Sequence, residues 1–275
     1  MTREALTAST DALRAAGIDE PRLDAELLLA AATGWDRARL AAQPEAEIPP
    51  DATRRFAEMV RRRLRREPVA YILGRRGFRR LELAVDPRVL IPRPETELLV
   101  ELALELRPAR VLDVGTGSGA IALAIADELP GCAVVAVDTS PAALELAREN
   151  AARTGLAGRV EFGAGTLPPQ GGVFELVVAN LPYVSEAEWD DLQPEVREWE
   201  PRGALLAGPD GLDAIRATVP ALAGIAKVLA LEVGAGQAGA VADLLFDAGF
   251  GAIETRPDLA GIPRLVVARR GAGAA

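Results

Sequence analysis

Between Val111 and Ala120 the chain leaves a run of apolar, strand-forming residues and enters a helical pattern through Gly115-Thr116-Gly117-Ser118-Gly119. Three glycines in five residues give a tight turn with a bare backbone that a ligand can touch. The helix that follows points its N-terminal N–H groups at that turn. The alternation then repeats. Residues 120–129 predict a helix and residues 133–137 a strand, and Ser140 and Pro141 open a helix that runs to Arg153. Residues 160–162 and 174–179 have strand patterns. Helix 211–222, strand 228–233, helix 237–248 and strand 265–268 follow. Repeated β-α units predict the α/β class: a doubly wound, mostly parallel sheet with helices on both faces.

Residues 1–75 have a different period. Leu6, Leu13, Leu23, Leu27 and Leu28 fall at helical spacings, and Gly17 and Gly34 stop the helices. Asp51 is placed to cap a segment over 51–66 whose apolar side is Phe56, Met59, Val60 and Leu64, and Pro68 ends it. The expected organisation is a small helical domain over 1–75, a linking hairpin over 76–92 and the α/β domain over 93–275. The hairpin would use Phe78, Leu81, Leu83 and Val85 on one side of a turn at Asp86-Pro87 and Val89-Leu90-Ile91 on the other. Thr96 is placed to cap a helix to about Leu106.

Composition bounds the chemistry. The chain has no histidine and one cysteine. A Ser-His-Asp triad, a histidine-ligated zinc, an imidazole base, an intrachain disulfide and a cysteine metal cluster are excluded, and no metal is expected. Cys132, between Pro130-Gly131 and an apolar run, reads as structural. No apolar run approaches the roughly 18 residues of a membrane span, and Met1-Thr2-Arg3-Glu4 opens no secretory signal, so a cytoplasmic protein without a membrane partner is expected. The net charge is −9. Residues 54–80 nevertheless hold 11 arginines against Glu58 and Glu67. That run is either a solvated face or a patch facing an anionic partner. The acidic remainder argues against a protein that wraps duplex nucleic acid.

Two further signals sit at strand ends. Asp138 follows the second strand, where a carboxylate can accept the vicinal hydroxyls of a ribose. With the glycine loop it specifies an adenosine-type ligand. Gly115, Gly117 and Ala120 also satisfy the dinucleotide fingerprint, which leaves a dehydrogenase open at this point. Asn180-Leu181-Pro182-Tyr183 then follows the strand over 174–179, at the sheet edge where ligands bind. Asn and Pro are common in plain turns. At this place, after two ligand signals, they form a clamp for a planar NH₂ group. The Asn180 side-chain oxygen and the backbone carbonyl of Leu181 each accept one N–H, and Tyr183 packs on the flat face.

This combination resembles the class I S-adenosylmethionine methyltransferases that modify planar amino nitrogens. It is most similar to the HemK/PrmC family, the protein-(glutamine-N5) methyltransferases of peptide chain release factors. Glu67-Pro68-Val69-Ala70-Tyr71-Ile72-Leu73-Gly74, Leu90-Ile91-Pro92-Arg93-Pro94-Glu95-Thr96-Glu97, Asp113 through Ala120, Pro194-Glu195-Val196-Arg197, Glu200-Pro201-Arg202 and Asp258-Leu259-Ala260-Gly261 carry the likeness. The resemblance implies a Rossmann-like methyltransferase domain behind a helical substrate-recognition domain, S-adenosyl-L-methionine as cofactor, and class I release factors as partners. The substrate would be the glutamine of their GGQ motif, in translation termination. Expected cofactor-binding residues are Asp113, Gly115, Thr116, Gly117, Ser118, Gly119, Asp138 and Asn180. Asn180, Leu181, Pro182 and Tyr183 are expected to bind substrate, with Asn180, Pro182 and Tyr183 as the catalytic set. Leu181 stands where the family usually has proline, and residues 163–167 lack the family's usual acid. Asn-Leu-Pro-Tyr also resembles the ribosomal RNA adenine dimethyltransferases, so the alternative is adenine-N6 methylation of RNA or DNA. Those enzymes place the catalytic domain first, the opposite of the order here, and no stable nucleic-acid partner is expected.

Overall fold

Apolar residues at helical spacing run through the first 73 positions. The computed structural model, which describes residues 1–168 and 171–271, folds them into α1 (Thr2–Ala15), α2 (Pro21–Thr33), α3 (Arg37–Ala42), α4 (Pro50–Leu64) and α5 (Val69–Leu73). Residues Met1–Arg75 and the later segment Gln193–Trp199 make one compact unit. Its core is built on Leu6, Leu13, Leu28, Leu29, Phe56 and Val60. Gly17 and Gly34 each follow a helix with φ of 73°, the left-handed conformation that ends a helix cheaply only at glycine. Asp51 is not the cap of α4. Pro50 opens the helix and puts Asp51 in its first turn, because the fixed φ of proline suits the first helical residue. Leu23, Leu27 and Met59 are only half-buried, and Leu64 is exposed.

The arginine run is spent largely inside this unit. Arg63 is 6% exposed, and its guanidinium reaches Asp24 at 2.7 Å and Glu195 at 2.8 Å. Arg66 holds Glu195 at 2.6 Å and donates to the carbonyls of Ala16 and Gly17. Arg62 pairs with Glu67, and Arg61 with Glu58. Within residues 61–66 the exposed arginines are Arg61 and Arg65.

The second unit comprises Arg76–Leu192 and Glu200 onward. β1 (Arg75–Phe78) and β2 (Leu81–Ala84) form a small sheet of their own. The hairpin turn therefore lies at Arg79-Arg80 and not at Asp86-Pro87. Arg79 takes a left-handed φ of 52° there, and its side chain is held by Glu128 at 2.9 Å. The chain continues through α6 (Glu97–Leu106), β3 (Arg110–Val114), α7 (Ala120–Glu128), β4 (Ala133–Asp138), α8 (Pro141–Arg153), β5 (Val160–Ala164) and β6 (Phe174–Ala179). Then come α9 (Pro194–Arg197, in the first unit), α10 (Asp213–Ala223), β7 (Ala226–Glu232), α11 (Ala238–Asp247), β8 (Ala252–Pro257) and β9 (Pro263–Arg269).

The main sheet has the order β5-β4-β3-β6-β7-β9-β8. β5, β4, β3, β6 and β7 are parallel, and β9 runs antiparallel to both β7 and β8. Successive residues of β3 enter different cores, Val111 on one face and Leu112 on the other, as strand alternation requires when both faces are covered. β8 was not expected from the sequence. It is an edge strand carrying Glu254, Thr255 and Arg256, which interrupt any apolar alternation. The strand order reverses between β3 and β6, and that reversal opens a crevice at the carboxyl ends of the strands. Among the described residues no helix is long and apolar enough to cross a membrane.

Candidate active site

The crevice is a cavity of about 550 Å³, a size usual for a small-molecule site. Its wall takes Gly115 to Ser118 from the loop after β3, Asp138 from the end of β4, Gly165 and Thr166 after β5, and Asn180, Leu181 and Pro182 after β6. Residues distant in sequence meet here because parallel strands end at one edge.

The glycine loop is fastened from below. The Gly115 and Thr116 N–H groups both donate to the Val137 carbonyl, at 2.9 and 3.0 Å. Gly117 N–H donates to Asp138 Oδ2 at 2.9 Å, and Ser140 N–H to Asp138 Oδ1 at 2.8 Å. Three N–H groups expected to face a ligand are thus already used within the fold. Asp138 stays on the cavity wall with lone pairs to spare, since a carboxylate offers about four acceptor sites. Gly115 and Gly117 have positive φ, and a Cβ on Gly115 would lie 3.4 Å from the Leu181 side chain.

Three expected site residues do not line the cavity: Asp113, Gly119 and Tyr183. Asp113 is fully buried beneath the loop. Its Oδ2 accepts from the Thr116 hydroxyl at 2.6 Å and from Ala122 N–H at 3.2 Å, while its Oδ1 has no partner. Burial, with the charge of Asp138 adding to it, pushes the Asp113 carboxyl up to about 7. Gly119 caps α7 in the left-handed conformation. Tyr183 turns its hydroxyl to Glu232 Oε1 at 3.4 Å instead of offering its ring to the cavity. Burial foremost, and then the Glu232 charge, hold that phenol above its usual range.

Several residues that the sequence reading did not assign to the site lie in or around it. Thr96 stands at the N-cap position of α6 but its side chain makes no capping hydrogen bond: a 3₁₀ turn over Pro94–Thr96 runs straight into α6, and the Thr96 hydroxyl accepts from Asn180 Nδ2 at 3.1 Å. Glu232, the last residue of β7, is 3% exposed, and burial foremost pushes its carboxyl up to about 7. Glu200 accepts from Ile91 N–H at 2.9 Å and pairs with Arg93, which lines the cavity. That bond ties the Pro-Arg-Pro-Glu-Thr-Glu segment to the Glu-Pro-Arg segment. Burial raises the Glu200 carboxyl even so. Asn150, wholly buried, donates to the carbonyls of Ser118 and Ala84 and accepts from Ala84 N–H, joining the glycine loop to β2.

A family model of the PrmC N-terminal domain matches residues 4–74, and a methyltransferase-domain model matches residues 111–201. The release factor glutamine methyltransferase of Moorella thermoacetica is 44% identical over 278 residues, covering 98% of this chain and 98% of its own. That of Deinococcus radiodurans is 43% identical over 279 residues, covering 98% and 99%. Among solved structures, the catalytic domain of human Mettl16 superposes with a TM-score of 0.57 at 13% identity, covering 70% of this chain and 77% of its own. A methyltransferase from Pyrococcus furiosus gives 0.51 at 15% identity, covering 70% and 89%. At such identities these two likenesses show the fold alone.

Proposed function

The chain belongs to the release factor glutamine methyltransferase family, and on that premise we propose that it N5-methylates the GGQ-motif glutamine of class I peptide chain release factors in the cytoplasm, using S-adenosyl-L-methionine. The observation that carries this reading is a juxtaposition. Asn180, Leu181 and Pro182 share one cavity wall with the glycine loop and Asp138, so a planar amide and an adenosyl ligand fit side by side.

The residues present suit the cofactor. Asp138 has acceptor sites left for ribose hydroxyls, and Gly115 and Gly117 keep the floor clear of Cβ atoms. S-adenosyl-L-methionine, when bound, supplies a methyl group activated by its sulfonium. The substrate amide nitrogen is a poor nucleophile because its lone pair is delocalised into the carbonyl. The chain's work is to hold that nitrogen in line and to stabilise the positive charge it gains. Asn180 Oδ1 and the Leu181 carbonyl accept its two N–H bonds and do both. A strong base is unnecessary when the proton leaves after methyl transfer, which accords with a chain lacking histidine.

An active-site clamp cannot choose one glutamine among many, so a second contact must supply specificity. The helical unit is the proposed source. The test is incubation with labelled S-adenosylmethionine and purified class I release factor, followed by peptide mass mapping. One methyl group on the GGQ glutamine is the expected result. Label on RNA, or on no glutamine, would overturn the reading.

A further inference from the structure

The turn Asn180-Leu181-Pro182-Tyr183 has to present a side-chain amide and a backbone carbonyl to one substrate group at the same time. A short turn keeps such geometry only when both of its ends are held. The first end is held by the sheet and by Thr96. Ala179 pairs with Leu231 in the β6–β7 register, and Asn180 Nδ2 donates to Thr96 Oγ1 at 3.1 Å.

The far end is held by a side chain from outside the cavity wall. Gln237 stands between β7 and α11 and is half-buried. Its Nε2 donates to the Tyr183 carbonyl at 2.9 Å and, more weakly, to the Asp210 carbonyl at 3.4 Å. Its Oε1 accepts from Gly234 N–H at 2.9 Å, and its own backbone N–H donates to the Gly234 carbonyl at 3.2 Å. One amide thus joins the turn after β6 to the turn after β7. The position asks for a donor and an acceptor on the same planar group. An ionised glutamate has no donor, a methionine has no donor and only a weak acceptor, and asparagine is one methylene short.

The backbone leaves room for this side chain. A Cβ on Gly211 would lie 2.6 Å from Gln237 Nε2, and one on Gly234 would lie 2.8 Å from its Oε1 and 3.3 Å from Tyr183 Cδ2. Two glycines, one before α10 and one after β7, therefore converge on the same amide and on the edge of the Tyr183 ring. The Tyr183 hydroxyl donates to Glu232 Oε1 at 3.4 Å, so ring and carbonyl are both tied to the segment that ends β7 and leads into α11.

We propose that Gln237 is a positioning residue for the methyl transfer. By holding the Tyr183 carbonyl it fixes where the turn sets the Leu181 carbonyl and the Asn180 amide. It acts through Tyr183 and not on the reacting atoms. The proposal rests on the reading of residues 180–183 as the clamp for the glutamine amide.

The experiment compares Gln237→Met and Gln237→Glu with wild type in the full chain, at a pH of about 8.5, with labelled S-adenosylmethionine and whole release factor. Both variants keep the length of the side chain. Methionine gives up the donor and keeps only a weak acceptor. Glutamate, ionised at that pH, keeps the acceptor for Gly234 N–H and loses the donor to Tyr183. Both should lower kcat about tenfold, with KM for release factor and Kd for S-adenosylmethionine within about threefold of wild type. A side chain that merely closed the turn at Gly234 would be replaced well by glutamate and poorly by methionine. A glutamate variant as fast as wild type, or a loss that falls equally on cofactor affinity, overturns the proposal.

A second readout needs no substrate. The Val184 N–H belongs to the same peptide group as the Tyr183 carbonyl, so its NMR resonance reports the bond from Gln237. It should move in both variants while the Gly115 and Gly117 resonances stay in place. A Val184 resonance at its wild-type position overturns the proposal. If wild type labels no release factor while Val184 moves as expected, the glutamine reading fails and the hold of Gln237 on the turn stands.

Discussion

In the helical unit Arg63 is buried between Asp24 and Glu195. At the cavity edge of the sheet, Asp113 and Glu232 are buried with no lysine or arginine, among the described residues, in ion-pair contact. The first arrangement matches charge with charge inside the fold. Together with Arg66 it holds the Glu195 carboxyl below its ordinary value against the pull of burial, while burial lifts Asp24 above its own despite Arg63. The second leaves acceptors unmatched, Asp113 Oδ1 and Glu232 Oε2 among them, and both carboxyls move up to about 7. Proteins usually tolerate such unmatched groups at functional sites. The difference separates carboxylates paired with a cation inside the fold from carboxyls buried without one.

The largest expected effect breaks the first arrangement. Arg63→Ala leaves the buried Asp24 carboxylate without its cation and Glu195 with Arg66 alone, and should cost about 3–5 kcal/mol in denaturant unfolding. Replacing all three groups, as Arg63→Met with Asp24→Leu and Glu195→Leu, should recover most of it. A single variant that unfolds like wild type would show the triad to be idle.

At the cavity, Asp138→Ala should weaken S-adenosylmethionine binding by about 1.5–3 kcal/mol in calorimetry, through lost ribose contacts and a loosened Gly117. Unchanged affinity would remove Asp138 from the site.

The pH dependence of stability sharpens the contrast. Asp113 and Glu232 keep their protons in the fold up to about 7, against ordinary values of 3.8 and 4.5. Across that window the folded state binds more protons than the unfolded one, so their contribution to stability falls as pH rises. Glu195 and Glu26 in the helical unit titrate below their ordinary value, and their contribution is lost as pH falls below about 4.5. Asp113→Asn should flatten the slope between pH 5 and 7 in thermal melts, leaving the acid limb unchanged. An unaltered slope would mean that Asp113 is ionised throughout.

The smallest effect concerns the exposed arginines. Arg61→Gln with Arg65→Gln should change stability by no more than about 0.5 kcal/mol. If this face meets an acidic surface of the release factor, KM for the whole factor should rise and lose salt dependence, while turnover of a short glutamine peptide stays constant. Equal KM values at low salt would assign both arginines to solvent.

The ligand edge was legible because its signals are local: a glycine loop, an acid after a strand, and Asn180 followed by a stiff turn. Glu232 closes β7 as Asp138 closes β4, but the sequence pattern ran that strand on to Val233 and hid the acid inside it. Arg63 could not. A run of arginines on a helix looks solvated until partners at Asp24 and Glu195 come in from distant segments. Thr96 looked like a cap because threonine before a helix usually is one, and only the fold shows its hydroxyl taken by Asn180. β8 stayed hidden because an edge strand needs no apolar alternation.

The central claim is that Asn180, expected at both ligands, does its main work on the substrate amide. The most direct test measures the single-turnover methyl-transfer rate to release factor and the S-adenosylmethionine Kd side by side for Asn180→Ala and wild type. The clamp predicts a rate lower by about a hundredfold or more with cofactor affinity within about threefold. A Kd that weakens as much as the rate falls, or a rate equal to wild type, would contradict it.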